Sequence, residues 1–334
     1  MEAGKVLFMK TIDLHCDTLY KMREGRLRGE NTDIGKNNLK IDLEKLKKGN
    51  YIMQCFAMFV DLKEQDSPLT AALEEADLFE QMIKTHPDEI AQVRTWDDLE
   101  KNQEKGKISA LLTVEEGGCC QGNLSILRIL YSLGVRIMTL TWNYENELAY
   151  PNIINGDPAV GTNAADDKNG LKETGFAFIE EMERLGILID VSHLSDAGFR
   201  DVYTHTKKPF IASHSNARSI CPHVRNLTDD MIRAIAGRGG ITGLNYCPSF
   251  LDPSENPRST VEQIAAHAAY IRNVGGIDCL ALGSDFDGIS GDIELYDASC
   301  LPLLEAELRK QHFSEDEIEK IFYKNALRVL KEVL

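Results

Sequence analysis

Short and almost continuously apolar runs recur along the 334-residue chain, and stretches with helical spacing lie between them. Runs such as ILIDVS, PFIAS and CLALG are typical of parallel strands that are covered on both faces. Eight such β-α units predict an α/β fold, a TIM-type (β/α)8 barrel, as a single domain over residues 1–334. A doubly wound open sheet is the alternative, but the glycine-rich dinucleotide fingerprint is missing after the first predicted strand. The predicted strands lie near residues 10–16, 51–60, 108–114, 135–141, 187–192, 209–213, 240–246 and 279–284.

Helix signals punctuate the segments between these strands. Thr95 and Asp98 have the spacing of a capping box, in which each side chain satisfies a free backbone N–H group of the other residue. The apolar runs Leu124–Leu133 and Phe176–Leu185 each end directly before a glycine, as helices often do. Further helix starts are predicted at Thr228, Thr260 and Ser314.

The formal net charge of −16 limits the partners that the chain can have, because a polyanion or an anionic membrane would repel it. No apolar run reaches the 18 or more residues of a membrane span, and the segment MEAGKVLFMKTIDLHCD lacks the long apolar region of a secretory signal. We therefore expect a cytoplasmic protein with no nucleic-acid and no membrane partner. The eight cysteines are expected to be reduced thiols.

Side chains that can bind a metal follow several of the predicted strands, at the carboxyl ends where a barrel of this kind has its active site. His15 and Asp17 end the first strand, and because strand side chains alternate, the two point the same way. Imidazole with carboxylate suits zinc or a neighbouring first-row ion, and one carboxylate can bridge two ions about 3.5–4 Å apart. The sequence therefore predicts a metal site. Its other members lie at the ends of later strands, in the runs Val114-Glu115-Glu116, Ser192-His193, Ser213-His214 and Ser284-Asp285.

Six motifs occur in order between about residue 11 and about residue 330. They are Asp13-x-His15-x-Asp17, Glu116-Gly117-Gly118, Val191-Ser192-His193, Ser213-His214-Ser215, Arg225-Asn226 and Gly283-Ser284-Asp285-Phe286-Asp287-Gly288. Together they resemble the membrane (renal) dipeptidase family, peptidase family M19, whose members are binuclear zinc peptidases of metallo-dependent hydrolase fold. The chain resembles the soluble bacterial members of that family.

The resemblance implies two zinc ions per chain, with Mn²⁺ or Co²⁺ as substitutes. It assigns His15 and Asp17 to one ion, His193 and His214 to the other, and Glu116 to both as a bridge.

The resemblance also implies the reaction, which is hydrolysis of dipeptides with a free C-terminal carboxylate, including those with a C-terminal D-residue. Asp285 matches the acid that manages the proton of the attacking water, and Arg225 matches the residue that pairs with the substrate carboxylate. A homodimer is also implied. The candidate catalytic residues are Asp285 and Glu116, and the candidate substrate-binding residues are Arg225, Trp142, Asn245 and Tyr246.

Two positions depart from the family pattern. Trp142 stands where the family has a histidine at the end of the fourth strand, and Cys247 stands where a tyrosine is expected, with Tyr246 just before it. The indole of Trp142 cannot become a cation as a histidine can, so it cannot contact the substrate in the same way. The substrate can therefore differ from a dipeptide. The alternative is a related amidohydrolase that acts on another small amide or lactone. A third hypothesis, a silent binding protein, would call for a lost metal ligand, and none is missing.

Overall fold

A curved, parallel β-sheet with helices packed around it forms the body of the molecule, and the computed structural model describes residues 9–153 and 164–334. The sheet path runs β6-β5-β4-β2-β1-β9-β7, and β3 pairs with the N-terminal end of β4. A separate short pair is formed by β8 and β10. The strands are β1 (Thr11–Asp13), β2 (Tyr51–Phe59), β3 (Ile90–Gln92), β4 (Ile108–Glu115), β5 (Val135–Thr139), β6 (Leu188–Asp190), β7 (Thr242–Leu244), β8 (Arg258–Ser259), β9 (Leu280–Leu282) and β10 (Asp292–Ile293).

Residues 211–212 connect the two ends of this sheet path. Ile211 forms a parallel bridge with Asp190 at the end of β6, and Ala212 forms one with Thr242 at the start of β7. The Ile211 N–H donates to Ile189 O at 2.9 Å, and the Ala212 N–H donates to Ile241 O at 3.0 Å. Around the ring the order is therefore β1, β2, β4, β5, β6, segment 211–212, β7 and β9. The prediction of an α/β barrel fold is confirmed.

The register brings the carboxyl ends of neighbouring strands to one level. Phe59 at the end of β2 pairs with Glu115 at the end of β4, and Glu115 pairs with Thr139 at the end of β5. Thr139 in turn pairs with Asp190 at the end of β6. The side chains that follow these strands consequently start from a common rim.

Alternate residues of β4 divide between two apolar clusters. Leu111 belongs to a cluster that also takes Ile12, Met53, Ile137 and Leu188 from other strands, so this cluster fills the interior of the ring. Its neighbours Leu112 and Val114 belong to the larger cluster between the strands and the helices. This division is the alternation expected of strands that are covered on both faces.

Helices begin and end where the sequence signals predicted. Capping boxes are present at Thr95, Thr260 and Ser314, and Gly134 ends α5 with a φ of 110° that favours glycine. The helices are α1 (Thr18–Leu27), α2 (Leu43–Lys48), α3 (Pro68–Thr85), α4 (Trp96–Glu104), α5 (Leu124–Leu133), α6 (Glu173–Leu185), α7 (Asp196–His205), α8 (Asp229–Gly237), α9 (Pro248–Leu251), α10 (Val261–Gly275), α11 (Leu301–Lys310), α12 (Glu315–Glu319) and α13 (Asn325–Leu330).

Some expectations need correction or lie outside the structure. Strand β3 at Ile90–Gln92 was not predicted, and the run 209–213 pairs only through the single-residue bridges of segment 211–212. Residues 1–8, on which the expected lack of a secretory signal partly rests, lie outside the described residues. No helix within residues 9–153 and 164–334 is long and apolar enough to cross a membrane. All eight cysteines lie in the described ranges and are free thiols, as predicted.

Candidate metal centre

Three histidines and a glutamate meet at the rim of the barrel. The carboxylate of Glu115 lies between them: its Oε2 is 3.1 Å from His15 Nε2, and its Oε1 is 2.9 Å from His193 Nε2 and 3.5 Å from His214 Nε2. The rings of His15 and His214 stack with their centroids 3.9 Å apart. Each of these side chains is at least nine-tenths buried. Glu115 can therefore share ligation between two neighbouring cations.

Two aspartates complete the group on the side of His15. His15 Nε2 lies 3.7 Å from Asp17 Oδ1 and 3.9 Å from Asp285 Oδ1. The donor atoms of these three residues, and those of His15, Glu115 and His214, are close enough to hold an ion in each set. The structure thus brings together every predicted metal-binding residue except one.

The exception is Glu116, whose carboxylate turns away from the histidines. Its Oε2 accepts the Trp142 N–H at 2.9 Å, and its Oε1 accepts the Gly118 N–H at 2.6 Å and a hydrogen bond from the Asn146 amide. The prediction that Glu116 lies at the metal site is wrong in position: Glu115 occupies the place. Because Leu111 faces the ring interior, the alternation along β4 brings Glu115 to the same face and leaves Glu116 beyond the strand end.

The backbone after β1 and β9 is held in place by Asp13. Its Oδ1 accepts the N–H groups of His15 at 3.2 Å and Ser284 at 2.9 Å, and the Asp285 N–H donates to His15 O at 3.2 Å. A Cβ atom on Gly288 would lie 1.9 Å from Asp17 Oδ2, so only glycine lets the chain pass this close to the carboxylate. The Asp13 and Gly288 positions of the sequence motifs are therefore structural.

The hydrogen bonds around His193 and His214 determine which ring nitrogen is free. His193 Nδ1 faces the amide oxygen of Asn143 at 2.9 Å, which can only accept, so this Nδ1 donates. His214 Nδ1 faces Ser213 Oγ at 2.7 Å, a hydroxyl that can accept or donate. In the tautomers that carry the proton on Nδ1, each Nε2 has a lone pair, and the two Nε2 atoms lie 3.0 Å apart. Two lone pairs at this distance repel unless a cation lies between or beside them. The donor set therefore fits metal ions, and Asn143 is a residue that the sequence analysis missed.

The electrostatics of the cluster point the same way. Burial, together with the positive charges of His15 and Arg225, lowers the pKa values of His193 and His214 well below the usual range, so both are neutral imidazoles, the form that binds metals. Burial and then Glu115 raise the pKa of Asp17 to about 6.

Asp285 and His15 show the same crowding of charge. Burial and then Asp17 raise the pKa of Asp285 to about 8. Burial alone would lower the pKa of His15, but Glu115 and Asp17 raise it well above its usual value. Buried carboxylates crowded in this way need a positive charge beside them, which divalent ions would supply.

A cavity of about 390 Å³ opens on this cluster. Arg225 lines it and is buried, with its guanidinium carbon 5.3 Å from the centroid of the Phe250 ring. Its Nη1 and Nη2 make long hydrogen bonds of 3.4 Å to Ser215 Oγ and His214 O, and its Nε has no hydrogen-bond partner among the described residues. Trp142 lines the cavity as well, in edge contact with Phe59 at 4.9 Å between ring centroids. Both residues thus line the cavity, and their binding of substrate stays a prediction.

Asn245 and Tyr246, in contrast, do not line the cavity. The Asn245 amide donates to Asp285 Oδ2 at 2.9 Å and so helps to position the Asp285 carboxylate, which lines the cavity. Tyr246 is fully buried and packs edge-on against Phe286 with ring centroids 5.6 Å apart. Both residues thus lie beneath the residues that line the cavity, and their contact with substrate stays a prediction. Cys247, the next residue, does line it.

A parallel α/β barrel that gathers histidines and carboxylates beside one cavity, at the ends of its strands, has the arrangement of a metal-dependent hydrolase. The profile of the family described as membrane dipeptidase (peptidase family M19) matches residues 6–334, and the chain belongs to that family. It is therefore a metallopeptidase that hydrolyses peptide bonds.

Similar proteins carry the same description. An uncharacterised dipeptidase of Schizosaccharomyces pombe is 32% identical over 343 residues, covering 97% of this chain and 80% of the relative. Dipeptidase aclJ of Aspergillus oryzae is 32% identical, covering 88% of this chain and 70% of the relative. Among solved structures, a metallopeptidase from Rhodobacter sphaeroides superposes with a TM-score of 0.85 at 25% identity, covering 98% of this chain and 100% of that chain. That structure is liganded with a phosphinate mimic of the dipeptide L-Ala-D-Ala.

Proposed function

We propose that this protein is a binuclear zinc dipeptidase that cleaves dipeptides with a free C-terminal carboxylate and accepts a D-residue at that position. One observation carries the proposal: the shared carboxylate of Glu115 lies between two groups of metal-binding side chains, and Arg225 lines the cavity beside them. The dipeptide mimic bound by the Rhodobacter sphaeroides protein, with its D-alanine, supports the choice of substrate.

In this proposal His15 and Asp17 would hold one ion, His193 and His214 would hold the other, and Glu115 would contribute to both. The neutral state of His193 and His214 and the free Nε2 atoms support this division. Bound zinc would polarise the scissile carbonyl and make water nucleophilic near neutral pH.

The remaining polar residues bind the substrate and move its protons. Arg225 pairs with the terminal carboxylate, because its guanidinium is nearly buried and its donors are poorly satisfied within the protein. Asp285 takes a proton from the attacking water and returns it to the leaving amine. Since Asn245 occupies Oδ2 of Asp285, the proton moves at Oδ1, which lies on the side of His15.

The ring order orients the substrate. Segment 211–212, which leads to Arg225, is separated from β2 by three strands in either direction, so the two lie on opposite sides of the barrel. A dipeptide with its carboxylate at Arg225 directs its N-terminal residue towards the end of β2. The wall there is aromatic, with Phe59 between Tyr20 and Trp142 at centroid distances of 5.1 and 4.9 Å. We therefore propose that Trp142 contacts the N-terminal side chain.

A dipeptide panel tests the proposal. Zinc-reconstituted protein is assayed with L,L- and L,D-dipeptides, with N-acetylated dipeptides and with tripeptides. We expect turnover of dipeptides of both kinds, with the highest kcat/KM for those with a bulky apolar N-terminal residue, and little turnover of the other two classes. Absence of dipeptide turnover, with hydrolysis of cyclic amides or lactones instead, would overturn it in favour of a related amidohydrolase. A cytoplasmic homodimer is also proposed, and sedimentation of the purified protein measures its oligomeric state.

A further inference from the structure

A buried chain of hydrogen bonds runs from the end of β6 to the imidazole of His214. Ser213 Oγ contacts Asp190 Oδ2 on one side and lies 2.7 Å from His214 Nδ1 on the other. Asp190 is 1% exposed, Ser213 is 1% exposed and His214 is fully buried, so water does not compete for these bonds. The chain lies behind the ring of His214, whose Nε2 faces His193 and Glu115.

The direction of each bond in this chain follows from the donors available. An ionised carboxylate only accepts, and a serine hydroxyl has a single hydrogen. Ser213 gives that hydrogen to Asp190, so its lone pair is left to accept from His214, and Nδ1 of His214 must carry the proton. The Nε2 lone pair is then free.

Asp190 itself is held by donors of two kinds. Its Oδ1 accepts the backbone N–H groups of Ser192 and Ser213, each at 2.9 Å. Its Oδ2 accepts the hydroxyl of Thr139 at 2.8 Å, besides that of Ser213. Backbone N–H groups cannot reverse, whereas hydroxyl groups can rotate, and this difference makes the chain testable.

We propose that Asp190 and Ser213 are positioning residues that fix the tautomer of His214 and so prepare its Nε2 atom to bind metal. The inference rests on the proposed function in that His214 is taken as a metal ligand. It goes further by assigning a role to Asp190 and Ser213, which contact neither the cavity nor the proposed ions.

Asp190→Asn is the sharpest substitution, because it keeps the shape of the side chain. The fixed N–H groups of Ser192 and Ser213 require the amide oxygen at the Oδ1 position, which leaves the NH₂ group facing Ser213 Oγ. The Ser213 hydroxyl then turns its hydrogen towards His214, whose Nδ1 becomes an acceptor. The proton of His214 moves to Nε2 and blocks the metal-binding atom.

Zinc affinity measures the effect. In equilibrium dialysis we expect the Asp190→Asn protein to bind one of its two zinc ions about 10- to 100-fold more weakly than the wild type, the range found when an outer partner of a metal-bound histidine is removed. Its kcat/KM is expected to fall at limiting zinc and to recover at saturating zinc. Thr139→Val is the matched control, since it removes another donor to the same oxygen of Asp190 without touching His214, and it should bind zinc as the wild type does. Equal zinc affinity of the Asp190→Asn and wild-type proteins would overturn the proposal.

The tautomer is read directly by ¹⁵N NMR of histidine-labelled, metal-free protein, with the His214 signals assigned from their loss in His214→Gln. Wild-type protein should carry the proton on Nδ1 and the Asp190→Asn protein on Nε2; the same tautomer in both would contradict the proposal. If Asp190→Asn fails to fold, Ser213→Ala, which deletes the acceptor of His214, should show the same loss of zinc affinity. Wild-type protein that binds no zinc would overturn the proposed function, and the NMR comparison would still decide the role of Asp190.

Discussion

Glu115 and Glu116 are neighbours in the chain, yet their carboxylates have different surroundings. That of Glu115 contacts the nitrogen atoms of three histidines, whereas that of Glu116 accepts hydrogen bonds from the backbone at Gly118 and Trp142 and from the Asn146 side chain. Glu116 therefore anchors the loop after β5, which carries Trp142 at the cavity wall. A pair of isosteric substitutions separates the two roles.

Glu115→Gln is expected to lower kcat/KM by more than about 100-fold. Loss of a residue that only hydrogen-bonds to a metal ligand costs up to about 100-fold, and this substitution replaces the shared carboxylate itself. Zinc content per chain should fall with it. Glu116→Gln should keep its zinc and instead lose about 1–3 kcal/mol of unfolding free energy, since one buried backbone donor loses its acceptor. Metal analysis and denaturant unfolding of both variants measure this, and loss of zinc from Glu116→Gln alone would show that the roles are exchanged.

Arg225→Lys is expected to raise KM for dipeptides about 10- to 100-fold with little change in kcat, since the fork of the guanidinium contributes about 1.5–3 kcal/mol in bonds to a carboxylate. The control is a dipeptide amide, which has no carboxylate. Wild type and variant should have the same KM for it. A tenfold or larger difference between the two proteins on the amide would contradict a carboxylate anchor at Arg225.

Residue-level prediction from the sequence placed His15, Asp17, His193, His214 and Asp285 at strand ends, and the structure gathers their side chains in one cluster, while their roles stay predictions. It failed where two acids were adjacent, because the choice depends on the phase of β4, and Leu111 in the ring interior would have given that phase. The role of Asn143 depends on a contact across 50 residues, which no local pattern reveals.

At the scale of elements, helix α10 is connected by the buried side chain of His267 to the backbone at Ala217 and Leu251. His267 is fully buried; its Nδ1 accepts the Ala217 N–H at 3.1 Å, and its Nε2 faces Leu251 O at 3.4 Å. Burial lowers its pKa to about 4. It therefore stays neutral in the folded protein at a pH where an unfolded chain would protonate it.

The pKa of His267 predicts a dependence of stability on pH. Between pH 6.5 and about 4 the unfolded state binds a proton that the folded state does not, so the unfolding free energy falls as the pH falls, by up to roughly 3 kcal/mol. His267→Asn keeps an acceptor for Ala217 and removes the titrating group. Denaturant unfolding at pH 5 and pH 7, in both proteins, should give a smaller difference in the variant. Equal differences would show that His267 does not titrate in this way.

The elements themselves were largely predictable, because strands covered on both faces have apolar runs and helices carry capping residues. Thr95, Thr260 and Ser314 cap helices at the predicted places. Strand β3 was not predicted because Ile90–Gln92 includes a polar residue and forms no continuous apolar run; it pairs with the N-terminal end of β4. Segment 211–212 is shorter than its apolar run, since it pairs with each neighbouring strand through a single bridge.

At the scale of the whole molecule, the chain combines a net charge of −16 with three carboxylates crowded around His15 at the barrel rim, those of Asp17, Glu115 and Asp285. Bound divalent ions would offset this repulsion locally and would bind only the folded state. Ligands of that kind stabilise a protein by mass action.

Removal of metal with a chelator is therefore expected to lower the Tm by about 4 °C, which corresponds to about 2.7 kcal/mol for an ion present at 100 times its Kd. Differential scanning fluorimetry before and after chelation measures the change, and added zinc should restore it. The Glu115→Gln protein, which lacks the shared ligand, should show a smaller shift. An equal shift in both proteins would mean that the stabilising ions bind elsewhere.

His193 and Asp285 of the metal centre, and Glu116 beside it, hold a backbone conformation that disfavours most side chains. The φ angles of Glu116, His193 and Asp285 are 89°, 70° and 62°, in the left-handed region where glycine and asparagine are at ease and β-branched residues are strained. This has an evolutionary consequence. In a descendant that no longer needed the reaction, drift at positions 193 and 285 would run towards asparagine or glycine and would avoid valine and isoleucine.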